Sequence, residues 1–553
     1  MDYEFDLGSV RRSITTGVEE AQTWFDRGLA WTYGFNHEEA VSCFRRATEA
    51  DPECAMAHWG ISYALGPNYN KPWDAFDERD AAVSLAQAYD SVKIASVKSG
   101  GCTNAEIDLI EALRARYPSR EPAADMSPWN DAYAAAMRRV HQEHPEDTDI
   151  EALFAEALMN RTPWALWDLK TGEVADGADT LEARDVLEKA ANRLAESGNS
   201  PHPGILHMYI HLMEMSQTPE LALDAADSLR GLVPDSGHLQ HMATHIDSIC
   251  GDYVNVVRSN NEAVRADRRY LEKKGALNFY TLYRCHNLHF KAYGAMFLGQ
   301  CRTAINASEE LISTLPEELL AVESPPMADW VEAFIPIKQH VLIRFGRWQE
   351  ILQQPLPENT DLYCVTNAMM LYARTVAYAS LSNSQAARRE AEAFEDAVRF
   401  VPESRCLFNN SCLDILAIAK AMMLGEILYR EGSFERAFTE LRRAIEMEDN
   451  LPYDEPWGWM QPVRHALGAL LIERGRLEEA CEVYRTDLGL NTKLSRPCQH
   501  PDNIWSLAGY HECLTRLGHS DMAKQIEQRL VLARARADTP ITSSCFCRLS
   551  AVD

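Results

Sequence analysis

A glycine that ends one apolar-periodic stretch and is followed at once by another recurs along the chain, and this spacing limits the fold more than any other feature. The positions are Gly251, Gly299, Gly346, Gly432, Gly475 and Gly518, separated by 48, 47, 86, 43 and 43 residues. The long step is two steps of 43, with the unmarked break near Asn383-Ser-Gln. Glycine tolerates the left-handed backbone that closes a helix, and the segments after it are apolar at helical spacing, as in Leu477, Ala480, Cys481, Val483 and Tyr484. Asp51-Pro52 and Val401-Pro402 end such helices, because proline lacks the donor that continuation needs. Strand signals are nearly absent. The pattern predicts an all-α helical-repeat solenoid of about twelve helix pairs over 18–537, with 1–17 as an N-terminal extension and 538–553 as an exposed C-terminal tail.

Two stretches, Asn36-His-Glu-Glu-Ala-Val-Ser-Cys-Phe-Arg-Arg-Ala-Thr-Glu-Ala-Asp-Pro52 and Ala57-His-Trp-Gly-Ile-Ser-Tyr-Ala-Leu-Gly66, resemble tetratricopeptide (TPR) repeat helices. The array is therefore read as TPR-like, although its steps exceed the roughly 34-residue norm of that repeat. Longer helices and loops, such as 71–99 and 315–326, account for the difference. First helices of successive pairs line the inner wall and second helices the outside. Since one pair cannot bury its own apolar stripe, the array is expected to behave as one body, long enough to wrap into a nearly closed ring.

The chain carries 82 acidic against 54 basic residues in 553, a net charge of -28, which repels the phosphates of nucleic acids and anionic membranes. Neither is expected as a partner. The start, MDYEFDLGSV, has acids where a secretory signal needs a basic, then apolar, run, and no stretch reaches the apolar length of a membrane span. A cytoplasmic protein is the expectation. The 14 cysteines lack CxxC pairing, so reduced thiols are expected. Cys545 and Cys547 form the closest pair and suggest a redox or metal element, set against the reading of an exposed tail.

Of 17 histidines, eight fall between His202 and His289, and seven of these lie in three predicted first helices. The intervening second helices, 219–232 and 253–268, contain none. In the helix over 204–215, His207, His211 and Glu214 are spaced i, i+4 and i+7 and share one face. In the next, over 236–250, His238, His241 and His245 form a single stripe, and over 279–298 His286 and His289 are three apart. Neutral imidazole and carboxylate suit copper, iron and zinc, and histidines at i and i+4 hold one ion with little helix distortion. His207, His211, His238, His241, His245, His286 and His289 are therefore candidate metal ligands. They suffice for a dinuclear centre, or for one closed site with spare proton-transfer groups.

Four stretches together are similar to a group of TPR-repeat proteins of bacteria and fungi: Ala152-Leu-Phe-Ala-Glu-Ala-Leu-Met159, His202-Pro-Gly-Ile-Leu-His207, Gly237-His-Leu-Gln-His-Met-Ala-Thr-His-Ile246 and His286-Asn-Leu-His-Phe290. The resemblance implies a fold and a site, and brings no reaction with it.

Glu156 and Glu214 are candidate catalytic carboxylates, since burial in a partly dry channel raises a carboxyl pKa and suits it to general-base work. Trp457, Trp459 and Arg464, in Asp454-Glu-Pro-Trp-Gly-Trp-Met-Gln-Pro-Val-Arg464, offer stacking and a charge for an organic ligand, or else seal a turn. Asn68 and Asn70, beside Trp59 and Tyr69, are placed for ligand binding by the Gly66-Pro67 break. No phosphate loop, nucleophile elbow or dinucleotide fingerprint occurs in the sequence.

These features support a metal-dependent enzyme acting on a small organic substrate, oxidative with copper or iron, or hydrolytic with zinc. The competing expectation is a scaffold that binds a partner peptide in a concave groove, which would be lined by asparagine, lysine and arginine.

Overall fold

The computed structural model describes residues 3–548. Apart from a short hairpin, Cys406–Leu407 with Asn410–Ser411, and isolated bridges, the described residues form helices and loops. The helices are α1 (Glu19–Tyr33), α2 (His37–Ala50), α3 (Ala55–Leu65), α4 (Glu78–Lys98), α5 (Asn104–Arg116), α6 (Ser127–Glu143), α7 (Thr148–Met159), α8 (Thr180–Ser197), α9 (Pro203–Glu214), α10 (Leu223–Leu229), α11 (Gly237–Ile249), α12 (Tyr253–Lys274) and α13 (Thr281–Phe297). They continue as α14 (Cys301–Ser313), α15 (Glu317–Leu320), α16 (Met327–Val331), α17 (Ile337–Arg344), α18 (Trp348–Gln353), α19 (Cys364–Ser380), α20 (Ser384–Val398), α21 (Cys412–Arg430), α22 (Phe434–Asp449), α23 (Val463–Glu473), α24 (Leu477–Asp487), α25 (Ile504–Arg516) and α26 (Ser520–Arg536). No described helix is long and apolar enough to cross a membrane.

The chain divides into two compact units. The first comprises the chain up to Ile246 with Glu262–Arg284, and the second Asp247–Asn261 with the chain from Cys285. In the first, α1 pairs with α2, α3 with α4, α5 with α6 and α7 with α8, while the leading helices stack on one another, α1 on α3, α3 on α5 and α7 on α9. The second repeats the scheme with α19 and α20, α21 and α22, α23 and α24, and α25 and α26, its leading helices stacking as α17 on α19, α19 on α21 and α23 on α25.

The turns follow one rule. Gly251, Gly299, Gly346, Gly432, Gly475 and Gly518 all take φ between +64° and +81°, each two residues before the next helix begins. At the break without glycine, Ser382 takes the same place at φ +59° before α20. Between α1 and α2 the residue is Phe35, at φ +55°, which a bulky side chain rarely adopts.

Stacking depends on a second device. Phe44 of α2 fills the space between α1 and α3 because glycine faces it on both sides. A Cβ at Gly28 or at Gly60 would lie 2.5 Å from the Phe44 ring. In the second unit Tyr484 of α24 sits in the same way between Gly468 of α23 and Gly509 of α25. One aromatic side chain so joins three helices, and a buried ring of this kind removes roughly 150–250 Å² from water.

Both terminal segments are docked. Residues 3–17 pack on the first unit, where Arg12 donates to Asp147 at 2.6 and 3.0 Å and to Asp149 at 3.1 Å, and Phe5 and Leu7 are buried. Residues 538–548 pack on the second unit and do not hang free as the tail reading expects. Asp538 accepts from the backbone N–H groups of Cys301 and Arg302 at 2.7 and 3.0 Å, capping α14, and Ile541, Ser543, Ser544 and Cys547 are buried. Residues 549–553 of that segment lie outside the described residues.

Gly60→Ala tests the stacking device. In an ordinary helix the change stabilises by about 1 kcal/mol, whereas here the methyl meets the Phe44 ring and the expected result is a loss of about 1–3 kcal/mol. Urea unfolding beside Gly17→Ala, a position with open space around it, reads the difference. A gain for Gly60→Ala would refute the packing argument.

Candidate metal centre

The histidine spacing places side chains as the helical period requires. His207, His211 and Glu214 lie along α9, and all three are fully buried. His238, His241 and His245 lie along α11 and are at most 1% exposed. One nitrogen from each of His207, His211 and His238 lies within 4.8 Å of the others, and the same holds for the ligand atoms of His211, Glu214 and His245.

Hydrogen bonds fix the tautomers. His207 Nδ1 is 2.7 Å from the Tyr33 carbonyl oxygen, which only accepts, so Nδ1 carries the proton and Nε2 the lone pair. The contact needs α9 close to the end of α1, and Gly204 permits it, since a Cβ there would lie 2.7 Å from the Tyr33 ring. His211 Nδ1 is 2.9 Å from Glu214 Oε1, which again puts the proton on Nδ1. His207 Nε2 and His211 Nε2 are both buried and without a hydrogen-bond partner. The other oxygen of Glu214, Oε2, receives a short bond from His245 Nδ1. His245 Nε2 is thereby an acceptor for His241 Nε2 at 2.8 Å, and His241 Nδ1 is 3.2 Å from Thr244 Oγ1. Burial lowers the pKa of His207 to about 3 and that of His211 well below its ordinary value. Both imidazoles are neutral and competent as ligands.

Aromatic rings wall these histidines. The Phe35 ring covers all three histidines of the first group, with centroids 4.4 Å from His207, 6.0 Å from His211 and 5.5 Å from His238. Trp164 stands edge-on to His211 at 5.6 Å, Tyr69 is 5.0 Å from His211, and Tyr283 is 4.8 Å from His238. Phe35 and Trp164 are two of the five non-glycine residues with positive φ among the described residues, at +55° and +58°. Strained backbone of this kind gathers at functional sites. Nothing in the sequence marks Trp164, whereas Phe35 stands at the turn position that six other helix pairs fill with glycine.

Other candidates in the first unit have chain partners. Glu156 is buried, accepts from the Tyr63 hydroxyl and lies 3.4 Å from Asn160 Nδ2, and burial raises its pKa. Asn68 closes its own turn by accepting at 3.0 Å from the backbone N–H groups of Asn70 and Lys71. Asn70 is half-buried and hydrogen-bonds Tyr283. Glu214 holds two imidazoles by their Nδ1–H groups.

His286 and His289 belong to the second unit. His286 stands edge-on to Phe408 at 4.8 Å. His289 packs on Phe334 at 5.2 Å and shares a small cavity with His340, a residue the sequence reading passed over. The tryptophan cluster is sealed: Trp459 is 1% exposed against His340 and Tyr372, and Trp457 Nε1 donates to the Glu448 carbonyl at 3.1 Å. Arg464 spends its charge on Asp449, with two bonds of 2.6 Å. These side chains close a turn around buried Glu455, which accepts from the Tyr453 hydroxyl and from Ser248 Oγ at 3.4 Å.

A tetratricopeptide repeat profile matches residues 21–54, most of α1, the turn that carries Phe35, and α2. With the stacked helix pairs this makes the chain a TPR-like helical-repeat protein. Solved structures similar to it include Naa15/Naa10 bound to HypK-THB, at 12% identity over 93% of this chain and 70% of that chain, with a TM-score of 0.21. The APC/C hetero-tetramer Cut9-Hcn1 matches at 12% identity over 93% and 87% of the two chains, TM-score 0.29. The human IFIT1 dimer with m7Gppp-AAAA matches at 11% identity over 87% and 90%, TM-score 0.33. No significant match to a curated protein is found.

Two predictions come from this geometry. Glycine in place of a buried side chain normally costs more than alanine, yet at Phe35 it also relieves a left-handed backbone worth about 1–2 kcal/mol. Phe35→Gly is expected to be more stable than Phe35→Ala by about 1 kcal/mol, and the reverse order in chemical denaturation would contradict the strain. Burial raises the Glu455 pKa from 4.5 to about 8, so the folded chain holds a proton that the unfolded chain releases. That contribution is complete below about pH 4.5 and is lost as pH rises towards about 8. Stability measured across this range should fall less steeply in Glu455→Gln, and an unchanged slope would refute the assignment.

Proposed function

We propose that His207, His211 and His238 hold a transition-metal ion and that the protein is a metal-dependent enzyme acting on a small organic molecule, oxidatively with copper or iron. One observation carries the reading: His207 and His211 each keep a buried Nε2 without a hydrogen-bond partner, and one ring nitrogen of each lies within 4.8 Å of the other's and of one of His238. Buried acceptors left unpaired are costly, and a cation satisfies them together. An all-imidazole set of three leaves a coordination position open and suits copper, iron and zinc.

When bound, such an ion supplies Lewis-acid or electron-transfer chemistry at the open position. The chain's own part is to hold and shield. The Tyr33 carbonyl and Glu214 fix His207 and His211 by their Nδ1–H groups, an arrangement common behind metal-bound histidine. Glu214 is fully buried, and a cation beyond His211 would offset its charge. Phe35, Tyr69 and Trp164 pack on His211, so an aromatic or apolar substrate reaching the ion would meet aromatic surface there. Zinc in the same ligands would support hydrolysis, so the identity of the metal separates the two reactions.

The repeat at 21–54 favours a second reading, in which the helical surface docks a protein partner. A stoichiometric partner bound equally by metal-free His211→Ala protein would assign that role to the repeat.

Metal analysis of the purified protein tests the first reading. Wild type should carry about one ion per chain, His211→Ala should lose it, and Glu214→Gln should bind about 10–100-fold more weakly. His289→Ala should retain it. Full occupancy in both His207→Ala and His211→Ala would overturn the site.

A further inference from the structure

Cys545 and Cys547 form a disulfide, and the other twelve cysteines are thiols. This departs from the expectation of reduced thiols throughout, and the surroundings of the pair are specific. The segment that carries it is anchored within the second unit. Ser544 Oγ is 2.5 Å from the Tyr484 hydroxyl and donates to the His465 carbonyl at 2.8 Å, and Arg344 donates to the Ser544 carbonyl. Arg430 donates to the Cys547 carbonyl.

The two sulfurs are not equivalent. Cys545 is half-buried and Cys547 is 2% exposed, so an incoming thiol reaches Cys545 first. The backbone N–H of Cys547 donates to Cys545 Sγ at 3.2 Å, a contact that stabilises negative charge on that sulfur. Behind the pair lies Glu426 of α21, 1% exposed, with a carboxylate oxygen within 4.8 Å of both sulfurs. Its Oε2 has no hydrogen-bond partner and is 3.6 Å from Arg430 in an ion pair.

We propose that Cys545–Cys547 is a reversible thiol–disulfide exchange site, attacked at Cys545 by an external dithiol or a low-molecular-weight thiol, with Glu426 carrying the proton of Cys547. The attacking thiolate forms a bond to Cys545 Sγ, the Cys545–Cys547 bond breaks, and its electron pair leaves on Cys547, which takes a proton from Glu426. The second thiolate of the dithiol, or the thiolate of a second molecule where the reductant has one thiol, then attacks the mixed disulfide at the reductant's own sulfur and releases Cys545. Two electrons and two protons pass from the external dithiol to the pair, one proton going to Cys545 and the other restoring Glu426. The dithiol leaves as a disulfide. Burial pushes Glu426 up to about 7, which suits it to exchange a proton near neutrality. A disulfide that cycles in this way also fits a chain whose other cysteines are thiols.

The test equilibrates the full-length protein in glutathione buffers of varied ratio, with the state of each cysteine read by alkylation and peptide mass. The pair should convert fully and reversibly between disulfide and dithiol. Cys547→Ser should trap glutathione on Cys545, whereas Cys545→Ser should leave buried Cys547 largely unmodified. Glu426→Gln should slow reduction of the pair by dithiothreitol about tenfold without changing which sulfur is attacked. A pair that stays disulfide under excess dithiothreitol, that never forms in oxidised glutathione, or that traps glutathione equally in both serine variants would overturn the proposal. An unchanged rate in Glu426→Gln would remove the proton carrier from it.

Discussion

Each helix pair that closes on a two-residue turn needs one backbone position in the left-handed region, and beside the histidine stripes that position is held by a phenylalanine. At Gly299, Gly432 or Gly475 the turn is satisfied at no steric cost. At Phe35 the same backbone is imposed on a bulky residue, and only the aromatic ring can compensate. It does so by covering His207, His211 and His238 at once. Repeat geometry and site geometry therefore meet in one side chain: the turn aims the ring, and the ring excludes water from the imidazoles.

Glu214 plays the matching part from below. A fully buried carboxylate is unfavourable unless its oxygens are bonded, and both are, by Nδ1–H groups from two different helices. That arrangement locks α9 to α11 and sets the His211 tautomer. Each oxygen takes one ring N–H, so a single carboxylate orients two imidazoles at once.

The repeat and the stripes were legible because both are periodic. Glycine at helix ends and histidine at i, i+3, i+4 and i+7 are local signals, and a helix converts them to geometry without help from the rest of the fold. What the sequence concealed was non-local. The Tyr33 carbonyl that orients His207 is a backbone atom more than 170 residues away, and no residue type announces it. Trp164 lies in a loop without period. The cluster of Trp457, Trp459 and Arg464 was legible as a cluster, but composition could not tell a ligand face from a plug. Asp449, which takes the arginine's charge, precedes it by 15 residues on another helix. The docked tail was hidden for the same reason, since Asp538 meets α14 across 237 residues of chain.

The number of histidines is thus a weaker guide to the site than the partners of each ring. His241 and His245 share the i, i+4 spacing of His207 and His211, and by spacing alone the two pairs are equal. Their hydrogen bonds divide them. In the second pair the two Nε2 atoms face each other at 2.8 Å, and one lone pair is used to accept the other's proton. In the first pair both protons are drawn away on the Nδ1 side, by a carbonyl and by a carboxylate, and both Nε2 atoms are buried without a hydrogen-bond partner. Helical spacing decides which rings can meet, and the acceptors behind them decide which ring nitrogens keep a lone pair to offer.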